Sequence, residues 1–259
     1  MTAELQERGG PPKRTPASGT RPEGVEPEHA SRYVQAMFTS IAGRYDRANH
    51  LLSFSVDRYW RWRAVRELRP FTANPMARIV DACCGTGDLT LALAAVRPVG
   101  ARPVLGTDFT HAMLRCAQLK PQAAQAQWCE ADAMRLPFAA ESVDALSTAF
   151  GLRNLVDYRA ALREFRRVLR PGGRLLILEC SRPTWPLLGP LYDWYFQHVL
   201  PWLGGWITGS QAPYRYLPAS VSRFPTRPEL AEWMRQEGFR AVRFRGLSGG
   251  IASLHVGDK

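Results

Sequence analysis

From residue 31 onward the chain alternates short apolar runs with stretches whose apolar residues recur at helical spacing. The runs "RIVDAC" (78–83), "PVLGTD" (103–108), "AQWCEAD" (126–132), "VDALSTAF" (143–150) and "RLLILEC" (174–180) predict five strands. The last is apolar on both faces, as a central parallel strand requires. "DLTLALAAV" (88–96), "HAMLRCAQLK" (111–120) and "YRAALREFRRVL" (158–169) predict helices, the third stopped at Pro171-Gly172-Gly173. A further helix, 227–238, precedes strands at 241–247 and 251–257 that Ser248-Gly249-Gly250 would join as a hairpin. Strand–helix alternation over about 180 residues predicts a doubly wound α/β fold. Its sheet should be seven-stranded and mostly parallel, with one antiparallel strand and helices on both faces.

Residues 1–30 break this pattern, with five Pro, four Gly and almost no large apolar side chain. Such a segment buries too little surface to offset its ordering entropy, so a disordered tail is expected there, with a folded domain over 31–259. The tail holds four basic and five acidic residues, so the net charge of +11 belongs to the folded part. A strongly basic domain suits nucleic acid, an anionic membrane surface or an acidic ligand. The five cysteines are scattered without C-x-x-C spacing, which argues against a metal site or a disulfide framework and suits a reducing cytosol. No apolar leader follows Met1, so no secretory signal is expected.

The chemistry centres on "RIVDACCGTGDLT" (78–90), where Gly85-Thr86-Gly87 lies between the first strand and its helix. Open α/β sheets bind ligands at that place, and glycines let the backbone come close. The third glycine of a dinucleotide fingerprint is replaced by Thr90, and the Gly-Lys-Ser/Thr of a phosphate loop is absent. Carboxylates stand instead at three strand ends. Asp108 is placed to accept both hydroxyls of a ribose, Asp132 the exocyclic amino group of an adenine, and Asp81 an ammonium group through the glycine loop. A ligand with ribose, adenine and positive charge but no phosphate is S-adenosyl-L-methionine, with S-adenosyl-L-homocysteine as its product.

At this point the chain resembles the class I methyltransferases and, within them, the ubiquinone/menaquinone biosynthesis C-methyltransferase family. The resemblance rests on "MFTSIAGRYDRANHLLSFSVDRYWR" (37–61), "DACCGTGDLT", "GTDFTHAML", "ADAMRLPF", "AFGLRNLVDYRAALREFRRVLRPGGRLLILECSRP" and "GGIASLHVGDK". It implies a Rossmann-like fold and cofactor contacts at Thr86, Asp108, Asp132 and Ala133; Gly85 and Gly87 of the turn and Phe109 after the second strand are further cofactor-binding candidates. It also implies methyl transfer to a ring carbon of a prenylated hydroquinone, either demethylmenaquinol or a 2-polyprenyl-6-methoxy-1,4-benzoquinol. Where relatives carry an acidic residue after Asp-Phe and a small polar one, this chain has His111, read as a surface change.

A quinol hydroxyl ionises near the tyrosine value of about 10, and ionisation makes the ring carbon nucleophilic, so the site must ease that step. Arg153 and Asn154 follow the fourth strand on the substrate side; Arg153 is the candidate for stabilising the phenolate and Asn154 for orienting the ring oxygen or a water. The alternative is an arginine that ties its loop to a neighbouring carboxylate. Tyr45, Asp46 and Asn49 are expected in an N-terminal helical lid (31–75), and His50 and His255 are candidate bases. An apolar insertion (183–225) holds seven aromatics over 183–209, among them Trp185, Trp194, Trp202 and Trp206, interrupted by Pro186, Pro190, Pro201, Asp193 and His198. It is a poor transmembrane segment, and either receives an isoprenoid tail or forms ordinary core under a cap. Arg58, Arg61 and Arg69, near Tyr59, Trp60 and Trp62, suit an anionic membrane, which implies a cytoplasmic protein held peripherally at the inner face. A homodimer or a quinone-biosynthesis complex stays open.

Two rivals weigh less. A nucleic-acid methyltransferase would show D/N-P-P-Y/F where this chain has "GLRN", or a cysteine nucleophile in that loop, so no nucleic-acid partner is expected. A catalytically silent quinone-binding scaffold would not need the full set of strand-end carboxylates.

Overall fold

A computed structural model of the chain describes Gly19, residues 25–26, 29–183, 194–208 and 212–259. The expected tail therefore lies almost wholly outside the described residues, as do Trp185, Pro186, Pro190 and Asp193 of the insertion. Helices α1 (Ala30–Ile41), α2 (Tyr45–Leu52) and α3 (Val56–Glu67) come first. The alternating region follows as β1 (Ile79–Ala82), α4 (Asp88–Ala94), β2 (Val104–Asp108), α5 (His111–Gln118), β3 (Ala126–Glu130), β4 (Val143–Ala149), α6 (Tyr158–Val168) and β5 (Leu169–Cys180). The chain ends with α7 (Leu200–Thr208), α8 (Ala212–Arg223), α9 (Arg227–Gln236), β6 (Arg240–Leu247) and β7 (Ala252–Asp258).

The seven strands form one sheet in the order β3-β2-β1-β4-β5-β7-β6. Only β7 runs antiparallel to its neighbours, pairing Ile177 with His255 on one side and Phe244 with His255 on the other. The strand order reverses between β1 and β4, which opens a crevice at their C-terminal ends, the place where ligands enter such sheets.

Successive strand residues point to opposite faces, and the core divides accordingly. Val80, Leu146, Leu175 and Ile177 pack under Leu162 and Phe165 of α6 and Leu230 and Met234 of α9. Ile79, Ala145, Leu176 and Leu178 pack under Trp60 and Ala64 of α3 and Leu89 and Leu93 of α4. Helix starts are chemically marked: the Asp157 carboxylate accepts from Ala160 N at 2.9 Å, and Thr226 N donates to Glu229 at 2.8 Å with Pro228 in the first turn.

Two local expectations change. β5 begins at Leu169, which pairs with Val143 before the ladder resumes at Arg174 and Ala145, so Pro171-Gly172-Gly173 is a bulge inside the strand rather than a gap before it. Pro201 does not break the insertion. It sits in the first turn of α7, directly after a π-turn over Tyr195–Val199, where Leu200 N already bonds back to Tyr195 O. That wider turn accommodates the N–H that proline lacks.

The remaining helices build a cap. Ala48 and Leu52 of α2 pack with Leu200 and Tyr214, and Val34 and Met37 of α1 pack with Tyr216 and with Phe109 beyond β2. Trp60 fixes α3 behind this region: it is buried, lies 6.0 Å from the Phe150 ring, and its indole N–H donates to Ser248 Oγ at 2.8 Å. Trp60→Phe, which keeps an aromatic ring but loses the hydrogen bond and part of the buried indole, should cost at least about 1 kcal/mol. Trp60→Ala should cost about 3–5 kcal/mol, both read by urea unfolding.

Candidate active site

At the crevice lies a cavity of about 700 Å³, open mouth included. Its walls come from the ends of β1, β2 and β4 and from the cap, and include Asp81, Gly85, Thr86, Asp108, Phe109, Tyr45, Phe150 and Asn154. The sequence argument therefore meets the structure in one place for these residues, although they span more than a hundred positions of chain.

Asp81 is fully buried, and its carboxylate accepts from Thr90 Oγ1 and Ser147 Oγ, each at 2.7 Å. Burial pushes its acid up to about 6, against the pull of those two hydrogen bonds. Asp108 accepts from Gly85 N and Thr110 N, each at 2.8 Å, and burial likewise raises it. Each Asp108 oxygen keeps lone-pair capacity beyond its one backbone donor, which is what two ribose hydroxyls require. The glycine turn is held open by its own geometry: Gly87 has φ +82°, and a Cβ there would lie 2.4 Å from the Trp128 ring. Only glycine fits both demands.

On the other side of the cavity, two non-glycine residues take left-handed backbone conformations, Cys83 with φ 53° and Phe150 with φ 58°. Such strain gathers at functional sites. A Cβ on Gly151 would lie 2.3 Å from Cys83 Cβ, so the two strand-end loops touch because position 151 is glycine. Burial pushes the Cys83 and Cys84 thiols well above their usual range, so neither is a thiolate nucleophile. Asn154 donates from Nδ2 to Phe150 O at 3.2 Å, while its Oδ1 is buried without a hydrogen-bond partner. That acceptor stands ready for a hydroxyl group. Tyr45 is also raised by burial, only partly offset by Arg153 and by a hydrogen bond with Asn49, so it remains a neutral phenol.

The structure does not bring every expected residue to the cavity. Arg153 does not line it. Its Nη1 pairs with Glu179 Oε2 at 2.8 Å and donates to Phe150 O at 2.6 Å, and its backbone N donates to Glu179 Oε1 at 3.1 Å. Burial opposes its charge, but the Glu179 carboxylate outweighs this and raises the guanidinium, which stays protonated. The geometry is that of an arginine tying its loop to a carboxylate. Asp132 is exposed and caps its own turn at Met134 N, 2.8 Å, and Ala133 is buried in the α6-side core; neither lines the cavity. The backbone beside them does run along Asp108, since Ala131 N donates to Asp108 O at 3.0 Å. His50 pairs with Asp57 at 2.8 Å, and His255 lies within the sheet with its Nε2 near Arg227 O at 3.0 Å. Burial lowers His255 to about 4, and neither histidine lines the cavity. His111 is on the surface, 2.9 Å from Glu130.

The lid is latched to the glycine turn by charge. Thr86 Oγ1 donates to Asp46, which pairs with Lys120 at 2.7 Å; Lys120 also reaches Asp88 at 2.5 Å, and Asp88 meets Arg61 at 3.0 Å. Arg61 therefore lines the cavity and is paired on both sides, with Asp57 and Asp88, so it does not belong to a free basic face with Arg58 and Arg69. Sequence reading missed Arg61, Asp88 and Phe38 as cavity walls; only the adjacency of Asp88 to the glycine turn signalled any of them.

Comparison with known proteins agrees with this geometry. The profile of the ubiE/COQ5 methyltransferase family matches residues 27–259. The "Ubiquinone/menaquinone biosynthesis C-methyltransferase UbiE" of Syntrophotalea carbinolica is 50% identical over 86% of this chain and 93% of its own length. The "Demethylmenaquinone methyltransferase" of Deinococcus radiodurans is 44% identical over 92% of this chain and 98% of its own. That of Thermus thermophilus is 48% identical over 86% and 100%. In fold, the chain is similar to a SAM-dependent methyltransferase from Thermotoga maritima, with a TM-score of 0.61 at 19% identity over 87% of this chain and 99% of that one. The chain belongs to the ubiE/COQ5 methyltransferase family.

Proposed function

We propose that this protein methylates a ring carbon of a prenylated hydroquinone with S-adenosylmethionine, in menaquinone or ubiquinone biosynthesis. The observation that carries the reading is the division of one cavity into two sides. Asp81 and Asp108 offer buried carboxylates and the glycine turn a closely approachable backbone, without any phosphate-loop lysine. Phe38, Tyr45 and Phe150 face them with aromatic surface, and Asn154 adds an unused acceptor. S-adenosylmethionine, when bound, supplies a methyl group on a positively charged sulfur. Asp108 would hold its ribose hydroxyls, Asp81 its amino group, and the backbone of the 131–133 segment beside Asp108 its adenine.

The chain's own residues then prepare the quinol. Asn154 Oδ1 accepts from the ring hydroxyl and orients it; the hydroxyl proton passes to water at the open mouth of the cavity, and the Tyr45 phenol, kept neutral by burial, donates to the oxygen as it gains charge. Arg153 acts through position: with Glu179 it fixes Phe150 O and the loop that carries Asn154. The aromatic wall of Phe38, Tyr45 and Phe150 lowers the local polarity around the ring, which strengthens those contacts. Because the substrate's tail stays in lipid, the protein works as a peripheral visitor to the cytoplasmic face of the membrane. No helix among the described residues is long and apolar enough to cross one.

The experiment that tests the function is a lipid-quinone profile of a strain lacking this protein. Accumulated demethylmenaquinone identifies the naphthoquinol, and an altered benzoquinol intermediate the alternative ring. An unchanged profile contradicts the proposal.

Asp108→Ala should weaken S-adenosylmethionine binding at least tenfold, since a hydrogen bond to a charged group contributes about 1.5–3 kcal/mol. Titration calorimetry reads this directly, and unchanged affinity removes Asp108 from the site. Arg153→Ala should lower turnover far more than cofactor affinity, whereas Glu179→Gln, which keeps an acceptor beside Arg153, should retain more of it. Equal losses in binding and turnover would count against this assignment. Asp81 sets a pH limit. Its charged form attracts the ammonium group, and its acid lies at about 6 in the folded protein. Affinity should therefore be level from that value up to the range, about 8, where the ligand's ammonium group loses its proton, and fall about tenfold per unit below it, while Asp81→Asn binds weakly at every pH.

A further inference from the structure

The described part of the insertion that begins at Trp194 presents an unusual outer face. Residues 194–208, "WYFQHVLPWLGGWIT", contain no charged side chain. Along this helical run, Trp194, His198, Trp202 and Trp206 recur every four residues, which places them on one side. That side is exposed: Trp194 by 56%, Trp202 by 68% and Trp206 by 79%. The opposite side is packed, with Leu200 and Leu203 against Ala48 and Leu52, and Tyr195 Oη donating to Leu52 O at 3.0 Å. The patch continues onto the α2–α3 turn, where Phe54 lies 6.4 Å from the Tyr195 ring and is 79% exposed, beside Leu51 at 53%.

We infer that this tryptophan face, with Leu51 and Phe54, is the surface by which the protein seats on an anionic lipid bilayer. Indole rings carry an apolar body and one N–H donor, and collect at the boundary between lipid tails and water. A helix with one packed side and one exposed aromatic side lies in that boundary rather than crossing it. Charge selects the bilayer over a second copy of the chain. Arg47, exposed, precedes Leu51 by four residues, and Arg58, also exposed, follows Phe54 by four. The nearby acids are already engaged, Asp46 with Lys120 and Asp57 with Arg61. Two such faces meeting would oppose arginine to arginine, whereas anionic headgroups would neutralise them.

The placement also links surface to site. Helix α2 has Tyr45 in the cavity wall at its first turn and Leu51 on the patch at its last, so one helix of about 12 Å separates them. A quinol could enter from the bilayer along that helix with its tail still in lipid. This route rests on the proposed substrate; the docking surface does not, because vesicle binding is measured without substrate.

The test uses the full chain with phosphatidylcholine vesicles, with and without phosphatidylglycerol. The wild type should sediment with the anionic vesicles, and lipids brominated near the headgroup should quench its tryptophan emission. Trp194→Ser, Trp202→Ser and Trp206→Ser combined should lower vesicle partitioning at least tenfold, and Arg47→Glu with Arg58→Glu should abolish the preference for phosphatidylglycerol. Cofactor affinity and turnover of a short-tailed, soluble quinol should stay at wild-type level. Unchanged partitioning of the tryptophan variant, or no quenching of the wild type, overturns the inference. So does a wild-type dimer that the tryptophan variant disperses in sedimentation velocity. A wild type that binds vesicles yet methylates no quinol supports the surface and rejects the substrate.

Discussion

The site depends on keeping two carboxylates buried at the ends of neighbouring parallel strands. Asp81 and Asp108 have little water around them, so each needs donors from elsewhere in the fold. Asp81 draws on Thr90 in α4 and Ser147 in β4, and Asp108 on the backbone of Gly85 and Thr110. These contacts lock β1, β2, β4 and the glycine turn into one arrangement. They also leave Asp81 poised at about 6, close enough to neutrality that a positive ligand favours its charged form. Burial is unfavourable for the empty carboxylates and becomes useful when a cation arrives.

The cap is organised by a second layer of charge. Asp46 of α2, Lys120 after α5, Asp88 at the start of α4, and Arg61 and Asp57 of α3 form one run of pairs that ties the N-terminal helices to the helix after the glycine turn, with each charge met by its opposite. Removing one member would leave a half-buried partner uncompensated, which is costlier than the pair is stabilising. His50, Asp57 and Asp88 come close enough to suggest a cation site, yet Arg61 and Lys120 already occupy the two carboxylates. The same pairing takes Arg61 out of the basic surface that the sequence offered to a membrane.

Much of the sheet was legible because its strands are short apolar runs bounded by glycine, proline or aspartate. The predicted strand at 103–108 and the observed Val104–Asp108 differ by one residue, and the terminal hairpin has the expected antiparallel strand. β5 was misread at its start because a bulge cannot be told from a turn when Pro-Gly-Gly supplies the signal. The site was legible where function and strand ends coincide, at Asp81, Asp108 and the glycine turn. It was not legible where a side chain has a choice of partner. Arg153 lies next to Asn154 in sequence, but Glu179, 26 positions away, decides where its guanidinium points. The exposure of Trp202 and Trp206 likewise depends on which side of α7 meets α2, a fact of packing that residue order does not carry.

The central claim is carbon methylation of a quinol by this cavity, and the most direct measurement is the fate of the methyl group. Purified protein would be given S-adenosylmethionine carrying a carbon-13 methyl, with reduced demethylmenaquinone or, in parallel, a 2-polyprenyl-6-methoxy-1,4-benzoquinol in anionic vesicles, and the extracted product read by carbon NMR. The account predicts a labelled signal at the shift of a methyl bound to an aromatic ring carbon, upfield of an oxygen-bound methyl, with one equivalent of S-adenosylhomocysteine formed. Label on a quinol oxygen, or cofactor bound with no label transferred to either ring class, would contradict it.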